Sequence, residues 1–147
     1  MSALSSLWHC IRGCLLPTLE EELDPLTDTQ REFVAVCELA QLDRHMGRYR
    51  WIGKGRKKKA RVDFAKAFIA KAVYNFATTK VLVAYLMDCK NLRRLCGWEK
   101  RSDVPSEPTF SRAFAEFARG ALGNVVHEAL VKTHYGDKLA GHISRST

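Results

Sequence analysis

At 147 residues, with 46% hydrophobic and 27% charged side chains, the chain is sized for one domain and can bury a substantial core, which excludes disorder throughout. Its longest uninterrupted apolar run, residues 81–87, falls far short of the ~20 residues that span a bilayer, and the N-terminus lacks the basic start and small-residue cleavage pattern of a secretory signal. A cytoplasmic protein without a transmembrane helix is therefore expected. The net charge of +8 is unevenly distributed: residues 1–47 hold three Lys/Arg against eight Asp/Glu, a balance of −5, and the remainder of the chain balances at +13. The basic part calls for a polyanionic partner, because each phosphate neutralised by Lys or Arg releases condensed counterions.

Six or seven helices are predicted, in an all-α domain. Leu4, Leu7, Trp8, Ile11 and Leu15 recur at three- and four-residue steps, which predicts a first helix over 4–16 ended by Pro17 and followed by an acidic connector, 20–25. Thr27 and Gln30 have capping-box spacing and open a second helix reaching about residue 42, with Phe33, Val36, Cys37 and Ala40 on its inner face. Glycines at 47, 53 and 55 and a run of cations make 43–61 a loop. Asp63 then caps a helix with Phe64, Phe68, Ala72 and Phe76 at four-residue intervals. Thr78 or Thr79 starts the next helix, 80–88, apolar enough to be expected at the centre of the fold. Asn91 caps a short helix stopped by Gly97, with Trp98 packed back onto it. Ser106 or Pro108 starts a helix with Phe110, Ala113, Phe114 and Phe117 inward, stopped by Gly120. A last helix, 124–134, ends before Gly136, and residues 142–147 have the character of an opening β-strand.

The five cysteines, Cys10, Cys14, Cys37, Cys89 and Cys96, leave one over in any full disulfide scheme and are expected to be thiols that pack as small hydrophobes. Cys10 and Cys14 share a helix face beside His9, but a second pair with zinc-like spacing is missing, and His127-Glu128 lacks the His four residues on that a zincin needs, Val131 standing there. No metal and no cofactor are expected, and His127 is expected as a partly exposed helical histidine. Two features remain for function. Arg56, Lys57, Lys58, Lys59 and Arg61 form a basic run near Tyr49 and Trp51, readable as a solvated loop or as a clamp on phosphates. The helices 79–88, 91–96 and 107–119 form a helix-turn-helix-like series that places Thr109, Ser111 and Arg112 to reach base edges or phosphates, although the connection over 99–105 exceeds the usual three or four residues. Solvated polar residues on a core helix are the alternative there.

Several stretches carry a family resemblance: Arg93-Arg94-Leu95-Cys96-Gly97-Trp98-Glu99, Pro105-Ser106-Glu107-Pro108-Thr109-Phe110-Ser111-Arg112, Tyr49-Arg50-Trp51-Ile52-Gly53-Lys54-Gly55-Arg56, and residues 66–76 and 136–141. The chain resembles, over nearly its whole length, the N-terminal helical region of bacterial insertion-sequence transposases of the DDE class. The resemblance implies recognition of element ends in double-stranded DNA and adds Arg93 and Arg94 to the expected DNA contacts. In the family the strand that follows reads Gly-His-Ile-Ser-Arg-Asp-Ser-Thr, its Asp being the first of three metal-binding carboxylates; here Arg145 is followed directly by Ser146. The resulting expectation is a truncated, non-catalytic DNA-binding unit, residues 1–141, with 142–147 as the start of a missing catalytic domain. Its rival is an all-α interaction module that associates with intact transposase.

Overall fold

The computed structural model describes residues 10–42 and 61–139, and these are helical and without a strand. Residues 56–60 of the basic run, the expected strand 142–147 and the boundary at 141/142 lie outside the described residues, as does the first part of the N-terminal helix.

The N-terminal helix does not stop at Pro17. A π-turn, Ile11–Leu15, runs into α1, Leu16–Glu22, with Pro17 in the first turn of α1 and the Leu16 N–H bonded back to the Ile11 carbonyl. Proline has no N–H to give and clashes with the preceding turn in a regular helix; the wider π-turn shifts the hydrogen-bond register just before it, and a first-turn position tolerates the ring. Residues 20–22, expected in a connector, are thus helical. The inner face is Ile11, Leu16, Leu19 and Leu23, and Cys10 and Cys14 fall on the outer one. The expectation of five buried cysteines is corrected accordingly: Cys37 and Cys96 are buried, Cys89 is half-buried, and Cys10 and Cys14 are exposed.

The capping box at α2, Asp28–Leu39, is formed: Thr27 Oγ1 accepts from the Gln30 N–H at 3.1 Å, and Gln30 Oε1 accepts from the Thr27 N–H at 3.0 Å. Phe33, Val36, Cys37 and Ala40 are buried as their spacing requires, and Val34 and Ala35 are buried with them. Burial pushes the Cys37 thiol well above its usual range. Thr27→Ala should cost about 1 kcal/mol and lower the melting temperature by roughly 2–4 °C. A melting curve unchanged by the substitution would show that the box contributes nothing.

The hub of the fold is α3, Arg61–Val73, which touches α2, α4 (Thr79–Asp88), α5 (Lys90–Cys96) and α6 (Glu107–Arg119). Ala65, Ala67 and Ala70 are fully buried along it, and small side chains are what let several helices approach one axis. The expectation that residues 80–88 form the central helix is therefore wrong. In α4 only Leu82 and Leu86 are buried, and Val81 is 45% exposed. Asp63 is not a cap but a fully buried residue in the first described turn of α3. The spacing through Ala72 and Phe76 also fails, because Ala72 is exposed and the helix ends at Val73. Asn75 takes a left-handed conformation (φ 59°), with Phe76 N–H bonded to the Lys71 carbonyl and Asn75 N–H to the Ala72 carbonyl, a Schellman ending in which asparagine replaces glycine. Phe76 then joins Tyr74 and Tyr85, with ring centroids 5.1–5.2 Å apart, and burial raises the Tyr74 phenol above its usual range.

Thr78 caps α4 by accepting from the Val81 N–H at 3.2 Å. Asn91, expected as the cap of α5, instead lies within it. Its amide donates to the Asp24 carbonyl at 3.0 Å and faces the Pro25 carbonyl and Gln30 Oε1 at 3.4 Å, supplying partners to an irregular connector. Gly97 ends α5 at φ 117°, and Trp98 turns back into the core at 1% exposure, edge-on to Phe64 and Phe110. A 3₁₀ turn, Arg101–Asp103, leads to α6, with Ser106 at its N-cap and Gly120 at its C-cap. The last helix, α7, Ala121–Leu139, starts directly after Gly120 and continues past residue 136, longer than the expected 124–134. It packs on α2 and α6, and His127 is exposed on it.

Candidate nucleic-acid interface

Helix α6 is anchored by Phe110, Phe114 and Phe117, which are buried against α3: Phe110 meets Phe64 at 5.4 Å, and Phe114 and Phe117 each meet Phe68 at 5.6 Å. Three- and four-residue spacing of these rings turns Ser111, Arg112 and Glu116 to the outside, where all three are exposed. Thr109 is half-buried, and its hydroxyl is 3.0 Å from that of Ser106.

Arg61, at the start of the described part of α3, reaches α6. Its guanidinium pairs with the Glu116 carboxylate and lies over the Phe117 ring, 5.0 Å from the centroid. Between the two helices is an open cleft of about 260 Å³ lined by Arg61, Phe64, Thr109, Arg112, Ala113, Glu116 and Phe117. The fold thus joins the last cation of the basic run to the outer face of the helix expected to read DNA. The lining combines two arginines, one carboxylate and the apolar surface of two phenylalanine rings.

The other expected contacts are placed differently. Arg93 is buried, and its guanidinium donates to the carbonyls of Leu86 at 3.3 Å and Met87 at 3.1 Å, which closes the C-terminal turn of α4. Arg94 has a side chain 18% exposed and pairs with Glu99 at 3.3 Å. Neither lines the cleft. Arg56, Lys57, Lys58 and Lys59 lie outside the described residues. Reading the sequence missed Glu116 and Phe117 as cleft residues. Glu116 follows Arg112 by four residues, the spacing of one helix face, but its pairing with Arg61 spans the chain. Among the described residues no group of three or more His, Cys, Asp or Glu is placed to hold a metal ion, and no helix is long and apolar enough to cross a membrane.

What these residues define is an all-α domain that presents a mixed-charge cleft between two helices. Residues 18–116, more than half of the chain and including nearly all of both cleft helices, match the family described as transposase domain (DUF772), and the chain belongs to that family. No curated protein and no solved structure matches it.

Proposed function

We propose that this chain is a DNA-binding domain that recognises the ends of an insertion sequence during transposition, and that by itself it neither cuts nor joins DNA. The observation that carries the reading is the meeting of Arg61 and Arg112 at one exposed cleft. Residues 56–60 of the basic run immediately precede Arg61 in the sequence, and Arg61 itself stands beside the outward-facing helix α6. In this arrangement the basic run and Arg61 hold the backbone, and Ser111 and Arg112 of α6 reach the base edges from a helix-turn-helix-like series. The ten residues from Gly97 to Ser106 make that series wider than a short-turn motif, with Trp98 fixing the connection by its contact with Phe110. Arg93 is left out of the contact set, because its side chain is buried and its Nη1 donates to the carbonyls of Leu86 and Met87. The non-catalytic reading is supported by Ser146, which stands where the resembling transposases have the first metal-binding aspartate.

Salt-titrated binding to duplex DNA tests the reading. The observed affinity should fall linearly on a log–log plot, and Lys57→Ala/Lys58→Ala/Lys59→Ala should make the slope shallower by up to about three units, one for each phosphate that is no longer neutralised. An interaction module with no DNA partner would show no salt-dependent duplex binding, and an unchanged slope in the triple variant would reduce the run to a solvated loop.

A further inference from the structure

We infer that Glu116 is a specificity-determining residue of the cleft: its carboxylate occupies Arg61 in place of a DNA phosphate, and only a duplex that also engages α6 displaces it efficiently. The inference rests on the DNA-binding reading above and adds a role for the carboxylate that, among the described residues, lines the cleft.

Arg61 is held at two points, by the Glu116 carboxylate and by the Phe117 ring beneath its guanidinium. A carboxylate and a phosphate both present paired oxygen acceptors to a guanidinium, so Glu116 fills the position that a backbone phosphate would take. The side chains of Arg61 and Glu116 are 59% and 55% exposed, respectively. At such exposure an ion pair contributes little to stability, which makes the exchange of partners inexpensive for the fold. The Phe117 ring stays beneath the guanidinium, so Arg61 remains aimed at the cleft when its acceptor changes.

The carboxylate penalises binding that gains nothing else. When a phosphate takes Arg61, Glu116 is left beside a second negative charge in the cleft, and like charges brought together are costly. Arg112 lies one helical turn earlier on the same cleft. A duplex that gives Arg112 a favourable base contact offsets the repulsion, whereas an arbitrary duplex does not. Glu116 thereby lowers non-specific affinity more than specific affinity, which is how a repulsive element raises discrimination.

The test uses the full chain and its Glu116→Gln, Arg61→Ala and double variants, with thermal transitions recorded to establish folding. Binding to a random-sequence duplex is titrated against salt. Glu116→Gln should tighten random-duplex binding several-fold and steepen the log–log slope by about one unit, because Arg61 is then free to neutralise a phosphate. In the Arg61→Ala background the same change should leave the slope where it is. Equal gains in both backgrounds would reduce Glu116 to a general negative charge and overturn the inference, as would unchanged or weakened binding by Glu116→Gln. If the parent chain binds no duplex at any salt concentration, the DNA-binding reading itself fails; binding by the parent that is indifferent to Glu116 sinks the role of Glu116 alone.

Discussion

Trp98→Ala will lower the free energy of unfolding by about 3–5 kcal/mol, the range for removing a large aromatic side chain from a packed core. Trp98 is 1% exposed and meets Phe64 at 5.9 Å and Phe110 at 5.4 Å, both edge-on. Those two rings belong to α3 and α6, the helices that form the cleft. The indole therefore connects the end of α5 to the pair of helices on which the proposed interface stands. Its removal forfeits the transfer free energy of the ring and leaves a cavity bounded by helices that cannot all close on it. Stability at this level is a large fraction of what a single domain has, so the variant should be markedly destabilised or unfolded at 37 °C. Chemical denaturation followed by circular dichroism measures the effect. A loss below about 1 kcal/mol would mean that the indole is not part of a close-packed contact.

Arg112→Ala should weaken binding to the cognate element end by about 1–3 kcal/mol while changing random-duplex binding much less, if the guanidinium reads a guanine. The expectation follows from the geometry of α6. Phe110, Phe114 and Phe117 face inward and are buried, so the helix cannot rotate to hide Arg112 without exposing a phenylalanine. Arg112 is exposed at the cleft. Because it lies on the surface, its truncation should leave the thermal transition close to that of the parent, so a binding loss is separable from a folding loss. Equal losses on cognate and random duplexes would make Arg112 a phosphate contact. No loss on either would remove α6 from the interface.

The local rules of the chain were legible before any tertiary information. The Thr27–Gln30 capping box, a helix start at Thr78 or Thr79, the stop at Gly97 and a helix from Ser106 or Pro108 to Gly120 depend on residues within a few positions of one another; the box and both stops are present, and the two N-caps fall at Thr78 and Ser106. The inward set Phe110, Phe114 and Phe117 was equally legible, since periodicity decides which face of a helix is apolar. Family membership also left its mark in strings such as Arg-Arg-Leu-Cys-Gly-Trp-Glu.

What packing decides was not legible. The apolar helix 79–88 looked central by composition, but centrality is a matter of how many neighbours can approach, and the alanines of α3 allow four. Pro17 reads as a stop, yet a π-turn before it carries the helix on to Glu22. Asn91 and Arg93 read as a cap and a DNA contact, whereas their donors were needed by carbonyls of the connector and of α4 once these elements had come together. Lys66 is the clearest instance: a lysine in an apolar helix is fully buried, and its Nζ donates to the Leu95 carbonyl at 3.2 Å, 29 residues along the chain. The Arg61–Glu116 pairing is of the same kind. Periodicity could turn Glu116 outward, but only the packing of α3 against α6 could bring it to an arginine 55 residues away, because that proximity is created by the buried phenylalanines between the two helices and by nothing local to either residue.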